Sequence, residues 1–231
     1  MNKLKIKRLD WDSAFFGFEV GEGDHYSDYS EASKFDLLVI KQKKDEDICL
    51  FDFEKKFQET KVIYDKKLIS LDLDSFNDSI KDFDEEVIDK SEFYSLAFES
   101  GRYSRFKLDP KIPDNKFKLL YTKWVDNSVD KKIADKLFYT RNSQEVTGFV
   151  TLKNNDFFST IGLIAVSKNY QGKGLGKRLL LKAEHYCMTQ NVFNLKIPTQ
   201  KENVLACHFY KKMGYEINQE VIIKHYWKKN L

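Results

Sequence analysis

Apolar residues recur every four positions at Leu175, Leu179, Ala183 and Cys187, and this spacing predicts an amphipathic helix from Leu175 to about Gln190. Lys177, Arg178, Lys182 and Glu184 fall on its outward face. A second helix is expected over Asp114–Val125, where Phe117, Leu120, Tyr121 and Trp124 form one stripe at offsets 0, 3, 4 and 7. A third starts behind Asn203, a good N-cap, and stops at Gly214, with Ala206, Phe209, Tyr210 and Met213 on the buried side. Leu137–Thr140, Val146–Leu152 and Phe158–Val166 read as strands. Asn142-Ser143 and Asn154-Asn155 are placed for the turns of an antiparallel meander. Val192–Ile197 is a further strand, ended by Pro198, and Glu220–Trp227 a closing one.

The first hundred residues are patterned less regularly. Phe35–Ile40, Val62–Tyr64 and the alternating Lys67–Leu73 suit strands, with a helix between them around Phe51 to Phe57. From Asp72 to Glu92 the chain is strongly acidic. Phe76, Ile80, Phe83 and Val87, spaced four, three and four, predict a helix with a solvated acidic face. Aromatics crowd around Gly17 in Leu9–Phe18, which reads as a turn capped by Asp12 or Ser13 with its phenylalanines in the core. The pattern is that of an α/β protein, divided into an N-terminal α/β portion, 1–110, and a second portion, 111–231.

Composition narrows the function classes. Of 231 residues, 39 are Lys or Arg and 36 Asp or Glu, a formal net charge of +3 that leaves no electrostatic footprint for nucleic acid. Cys49, Cys187 and Cys207 are odd in number and lack metal-binding spacing, so reduced thiols and no metal are expected. No apolar run approaches the roughly 20 residues of a membrane span. The basic start lacks the apolar centre of a signal peptide. A cytoplasmic protein, free of membrane, is the expectation.

Chemistry concentrates at Gln171-Gly172-Lys173-Gly174-Leu175-Gly176, which follows the apolar run Ile161–Val166 and opens the Leu175 helix. Glycines let a backbone approach a bulky ligand, and a helix N-terminus offers unpaired N–H groups and a positive dipole end, so this stretch is an anion cradle suited to pyrophosphate. The glycine spacing fits neither the dinucleotide fingerprint nor a Walker A loop. A second polar stretch, Glu99–Asp109, sets Arg102 and Arg105 among hydroxyls and a glycine. It reads either as a loop presenting donors to an anion or polyol, or as a turn whose arginines pair with nearby acids. His225 is placed either to take a proton or to serve as a strand histidine bonded to backbone.

Gln171, Gly174 and Gly176 match the Gln/Arg-x-x-Gly-x-Gly/Ala signature of the GNAT acyltransferases. The strand before the loop and Asn203-x-x-Ala206-x-x-x-Tyr210-x-x-x-Gly214-Tyr215 after it extend the resemblance over about a hundred residues. Trp11-Asp-Ser-x-Phe15-Phe16-Gly17, Ser100-Gly-x-Tyr103-Ser104-Arg105-Phe-x-x-Asp109, Leu120-Tyr121-x-x-Trp124, Thr199-Gln200 and His225-x-Trp227 resemble one branch of that family. It is the branch of nucleotide-sugar N-acyltransferases similar to dTDP-fucosamine acetyltransferase.

The resemblance implies a GNAT fold, a mixed central sheet flanked by helices with the N-terminal portion packed on it. It implies an acyl-CoA donor, acetyl or larger such as hydroxybutyryl, with its pyrophosphate on the amides of Gly172, Lys173, Gly174, Leu175 and Gly176, beside Gln171 and Lys177. Its pantetheine arm would lie along Leu163, Ile164, Ala165 and Val166 like an added strand, near Asn203. It further implies Tyr210 as proton donor to the leaving thiolate, and His225 as base or substrate contact. Trp11, Phe15, Phe16, Tyr103, Ser104, Arg105, Tyr121 and Gln200 would grip a dTDP-linked amino-deoxy sugar destined for a surface polysaccharide such as O-antigen. A GNAT acting on a protein N-terminus, a lysine or another small amine, and a non-catalytic acyl-CoA-binding module, are the alternatives. The acyl group, the sugar, the C3 or C4 position of the amine, and whether the chain forms a homo-oligomer are left open by the residues.

Overall fold

The computed structural model describes residues 5–69, 80–84 and 87–229. Its strands are β1 (Lys7–Arg8), β2 (Val20–Gly23), β3 (Leu37–Gln42), β4 (Phe53–Lys67), β5 (Lys81–Asp82), β6 (Lys136–Arg141), β7 (Val146–Asn154), β8 (Ser159–Val166), β9 (Asn194–Gln200) and β10 (Glu216–Lys228). They form one mixed sheet in the order β1-β2-β3-β10-β4-β9-β8-β7-β6-β5. Strands from residues 1–110 and 111–231 alternate in it, because β10 inserts between β3 and β4. The β6-β7-β8 meander is antiparallel, as the turn signals predict.

Helices cover both faces. On one lie α1 (Asp10–Phe16), α2 (Tyr94–Ser100), α3 (Arg105–Leu108) and α4 (Asp114–Val129), whose apolar residues share a core with Phe149, Leu163, Ala165, Ile223 and Trp227 of the sheet. On the other lie α5 (Leu175–Thr189) and α6 (Val204–Lys212), packed on Val62, Tyr64, Val150, Ile161 and Ile197. In α5 the four-residue repeat is buried, and in α4 Phe117, Leu120 and Tyr121 are buried with Trp124 half-buried beside them.

Five local readings are corrected. Residues 51–57 enter a strand, not a helix: β4 pairs with β10 over almost its whole length, and a short apolar run does not separate the two periods by itself. Of the acidic helix, Phe76 lies outside the described residues. Lys81–Asp82 is a short strand on β6, Val87 is exposed, and Lys90–Phe93 is a 3-10 turn. Leu9–Phe18 holds a two-turn helix, α1, ended by Gly17 at φ +82°. Pro198 continues β9 instead of ending it. Glu184 is buried, because Lys66 meets it at 3.0 Å and the Tyr215 hydroxyl donates to it at 2.8 Å. In α6 the expected face packs on the core, with Tyr210 buried and Ala206, Phe209 and Met213 half-buried beside it.

Removing Glu184 leaves the buried Tyr215 hydroxyl without its acceptor, at about 1–3 kcal/mol, while Lys66, at 26% exposure, can turn to water. Glu184→Ala is therefore expected to lower the free energy of urea unfolding by about that amount, and a loss below roughly 1 kcal/mol would show that the cluster contributes little.

Candidate active site

The site arises where the sheet comes apart. β8 and β9 are paired only at Ser159–Leu195 and Thr160–Lys196. Beyond them, the β8 edge from Ile161 to Val166 has no strand partner among the described residues. On the far side of the gap, the N–H of Lys201 bonds the carbonyl of Thr60 at 2.8 Å. Antiparallel bonding alternates from there, so the Pro198 nitrogen faces the gap, where a missing N–H leaves β4 pairing intact. A bulge in β8 adds to the opening. Ile161 pairs with Leu152 and Ile164 with Val150, so one extra residue is inserted, and the N–H of Leu163 bonds Thr151 Oγ1 at 2.9 Å. Alternation is thereby reversed: Ile161 faces α5, whereas Leu163 and Ala165 face α2 and α4. A cleft of about 1270 Å³ passes through the gap and is lined from both faces.

The open β8 edge lines the cleft along 163–166, and on the α5–α6 side it is lined by Gln171, Gly172, 174–177, Asn203 and Tyr210. Gln171 Nε2 donates to the carbonyl of Val166 at 3.0 Å, tying the loop back to the strand. Gly172 and Gly174 have φ of +74° and +79°. A Cβ at either meets nothing within 4 Å, so backbone conformation, not crowding, calls for glycine there. α5 follows at once, and the N–H groups of residues 175–177 have no intrahelical partner. Lys173 does not line the cleft; its Nζ donates to the carbonyl of Asn169. Asn203 caps α6 by accepting from the N–H of Ala206 at 3.4 Å. The Tyr210 ring lies 5.6 Å from that of Tyr64. Burial, with Cys207 and Tyr64 adding to it, raises the Tyr210 pKa above the ordinary phenol value, so it stays protonated at neutral pH.

On the α2–α4 side the lining includes Ser104, Arg105, Tyr121 and Gln200. Gly101 lets the end of α2 meet Tyr121, since a Cβ there would come within 2.2 Å of the phenol ring. Burial pushes the Tyr121 pKa up to about 12. Three residues that sequence reasoning passed over join them from the N-terminal strands: Lys41 of β3, and Glu59 and Lys61 of β4. Glu59 is buried and accepts the N–H of Arg105 at 2.9 Å. Burial pushes its pKa up to about 7, against the pull of the Arg105 charge and N–H. Burial also lowers the pKa of Lys61, with Arg105 and Lys41 reinforcing it. A strand in place of the expected 51–57 helix, carried on through residue 61, would have put Glu59 and Lys61 on one face by their spacing of two.

That carboxylate carries a linkage. Its ordinary pKa is 4.5 and its folded value about 7, so the folded chain holds the proton more tightly. The stability this contributes is full below 4.5 and is lost as pH rises through 7. At pH 8 the buried charge costs up to about 3 kcal/mol. Glu59→Gln, which keeps an acceptor for the Arg105 N–H, is expected to raise Tm by several degrees at pH 8 and not at pH 4, as read by scanning calorimetry.

His225 lies beneath this half of the cleft and does not line it. Its Nδ1 is 2.5 Å from Asp109 Oδ2, which also accepts Trp227 Nε1 at 2.9 Å, while Oδ1 accepts the Lys111 N–H. Burial lowers the His225 pKa despite Asp109, which favours the neutral ring. Its Nε2 and Nη1 of Arg105 are buried without a hydrogen-bond partner among the described residues. Trp11, Phe15, Phe16 and Tyr103 are not brought into the lining. Trp11 is exposed and stacks on Phe15 at 4.9 Å, Phe16 packs in the core against Phe18 and Phe106, and Tyr103 carries the Arg102 guanidinium. Because α1 forms two full turns, Phe16 is directed into the core.

Among the described residues no group of three His, Cys, Asp or Glu is arranged to hold a metal, and no helix is long and apolar enough to cross a membrane. The chain is 27% identical over 132 residues to the spore coat polysaccharide biosynthesis protein SpsD of Bacillus subtilis (strain 168), covering 57% of this chain and 45% of that one. It is 30% identical over 129 residues to streptothricin acetyltransferase A of the same organism, covering 52% of this chain and 69% of that one. The chain thus spans between about half and two thirds of the length of these curated relatives. In fold it matches a crystal structure of a GNAT-family protein from Novosphingobium aromaticivorans, with a TM-score of 0.57 at 12% identity over 84% of this chain and 75% of that one. The profile of the Acetyltransferase (GNAT) family matches residues 90–215, from the turn before α2 to the residue before β10, and the chain belongs to that family.

Proposed function

We propose that the protein moves an acyl group from acyl-CoA to the amino group of a dTDP-linked amino-deoxy sugar, for a surface polysaccharide. The observation that carries the acceptor is electrostatic. Lys41, Lys61, Arg102 and Arg105 line the α2–α4 side of the cleft with Glu59 and Glu99. Although Lys41 pairs with Glu22 and Arg102 with Glu99, the excess of cations suits a diphosphate and disfavours a polycationic amine. Tyr121 and Trp124 add aromatic surface for a base or sugar ring. The likeness to a Bacillus subtilis protein of spore coat polysaccharide biosynthesis agrees with a sugar acceptor.

The opposite half fits the donor. The glycine loop and the first turn of α5 suit a pyrophosphate, and the open β8 edge suits an extended amide-bearing arm. Acyl-CoA, when bound, supplies an activated thioester carbonyl. Side-by-side binding through the gap can supply about 7–11 kcal/mol of the barrier. Main-chain N–H groups of the 164–166 edge would stabilise negative charge developing on the carbonyl oxygen. Tyr210 would give its proton to the departing thiolate, whose pKa is comparable to the roughly 8.5 of cysteine.

The test is a panel of acceptors incubated with acetyl-CoA and longer acyl-CoAs while thiol release is followed. dTDP-amino sugars should react, with the product showing which nitrogen is acylated. Turnover of peptides or polyamines alone would overturn the sugar assignment.

A further inference from the structure

We infer that Glu59 takes the proton that the acceptor's nitrogen must lose during transfer, an assignment that rests on the N-acyl-transfer reading above. Glu59 sits on β4, outside the 90–215 stretch matched by the family, so no position of the family profile reaches it. It combines two properties that no other carboxylate lining the cleft shares among the described residues. It is buried, at 4% exposure, and it opens on the acceptor half of the gap; Glu99 is exposed.

Charged and titratable groups meet it from every side. Arg105 of α3 donates its N–H to Glu59 Oε2 and stands beside it as a cation. Lys61 follows on β4, with Lys41 of β3 acting on it in turn. Tyr121 faces it from α4 and Glu202 from the segment after β9. From β10, His225 feels the Arg105 charge and packs its ring on Phe57. His225 itself is engaged through Nδ1 by Asp109 and does not line the cleft, whereas Glu59 does. The cations Lys61 and Arg105 also disfavour an ammonium among them, so an amine entering here is held in its neutral, nucleophilic form. A carboxyl that titrates near neutrality is matched to accepting a proton from nitrogen at the pH where the reaction runs.

The step balances. The amine lone pair forms a C–N bond with the acyl carbon and the C–S bond breaks. One proton passes from nitrogen to the Glu59 carboxylate, and the sulfur receives one from Tyr210. Water then carries the Glu59 proton away and returns one to Tyr210.

The experiment uses the full chain and whichever amine the acceptor panel identifies. The wild-type kcat profile, taken at saturating acceptor, should show an acidic limb with an apparent pKa near 7. Glu59→Gln should lower kcat about 10²–10⁴-fold, leave KM for acetyl-CoA unchanged and remove the limb, while Glu59→Asp restores part of both. His225→Asn should keep the limb. A limb that survives in Glu59→Gln, or vanishes in His225→Asn, overturns the assignment. A second readout needs no acceptor: in protein labelled with ¹³C at glutamate carboxyls, one resonance should titrate near 7 and be missing from Glu59→Gln. All glutamates titrating below about 5.5 would overturn it as well. If the panel yields an amine that is not a sugar, the sugar assignment falls while the Glu59 test proceeds on that amine.

Discussion

Tyr210→Phe is expected to lower kcat by about 10²–10⁴-fold while the affinity for CoA stays within about twofold. The substitution removes one oxygen from a buried side chain and leaves the ring in its contacts with Tyr64, Phe209 and Tyr215. Packing is therefore preserved, and the change isolates the proton. That proton is firmly held, because burial and the neighbouring Tyr64 and Cys207 all disfavour a phenolate. It is transferred only where negative charge appears on a nearby atom, which is the situation of a departing thiolate. Single-turnover acyl transfer, with CoA binding measured separately by calorimetry, checks the split. An unchanged kcat would remove Tyr210 from the chemistry, and a parallel loss of CoA affinity would make it a binding residue instead.

Gly174→Val should show the opposite signature. The backbone at 174 has φ +79°, where a side chain costs about 1–2 kcal/mol and a β-branched one more. An added Cβ meets no protein atom within 4 Å, so it projects into open space at the mouth of α5, where the pyrophosphate is proposed to rest. Strain and obstruction act together, and KM for acyl-CoA is expected to rise about 100-fold or more, which is roughly 2.7 kcal/mol. With donor at saturation, kcat should recover toward the wild-type value. An affinity unaltered by the valine would mean that the phosphates bind elsewhere.

The two substitutions probe the part of the site that could be read from residue order. The loop, the strand before it and the Asn203–Tyr210 helix are consecutive, so local spacing carries their geometry: Asn203 caps α6, Gly174 adopts a left-handed turn, and the β6-β7-β8 meander follows its Asn turns. The other half is assembled from distant segments. Glu59 reaches the cleft because β4 is zipped between β9 and β10, a pairing that no local pattern in Lys55–Lys61 announces. Glu184 reads as a solvated charge by helical period, yet Lys66 and Tyr215, far away in the chain, close over it. Phe16 was legible as a core residue from composition alone. Its place among the substrate contacts came from motif likeness, and the structure turns it toward Phe18 and Phe106. Cross-strand neighbours set the accuracy of such readings more than the strength of any motif.

The seam between β8 and β9 has one more implication. Among the described residues two pairs join β8 to β9, so the sheet is two sets of strands that meet over a short seam. In the proposed ternary complex the donor's extended arm would fill the missing rungs, and the acceptor would bridge the two sets from the other face. Each substrate would then act as a temporary piece of the architecture, and release of product would withdraw it.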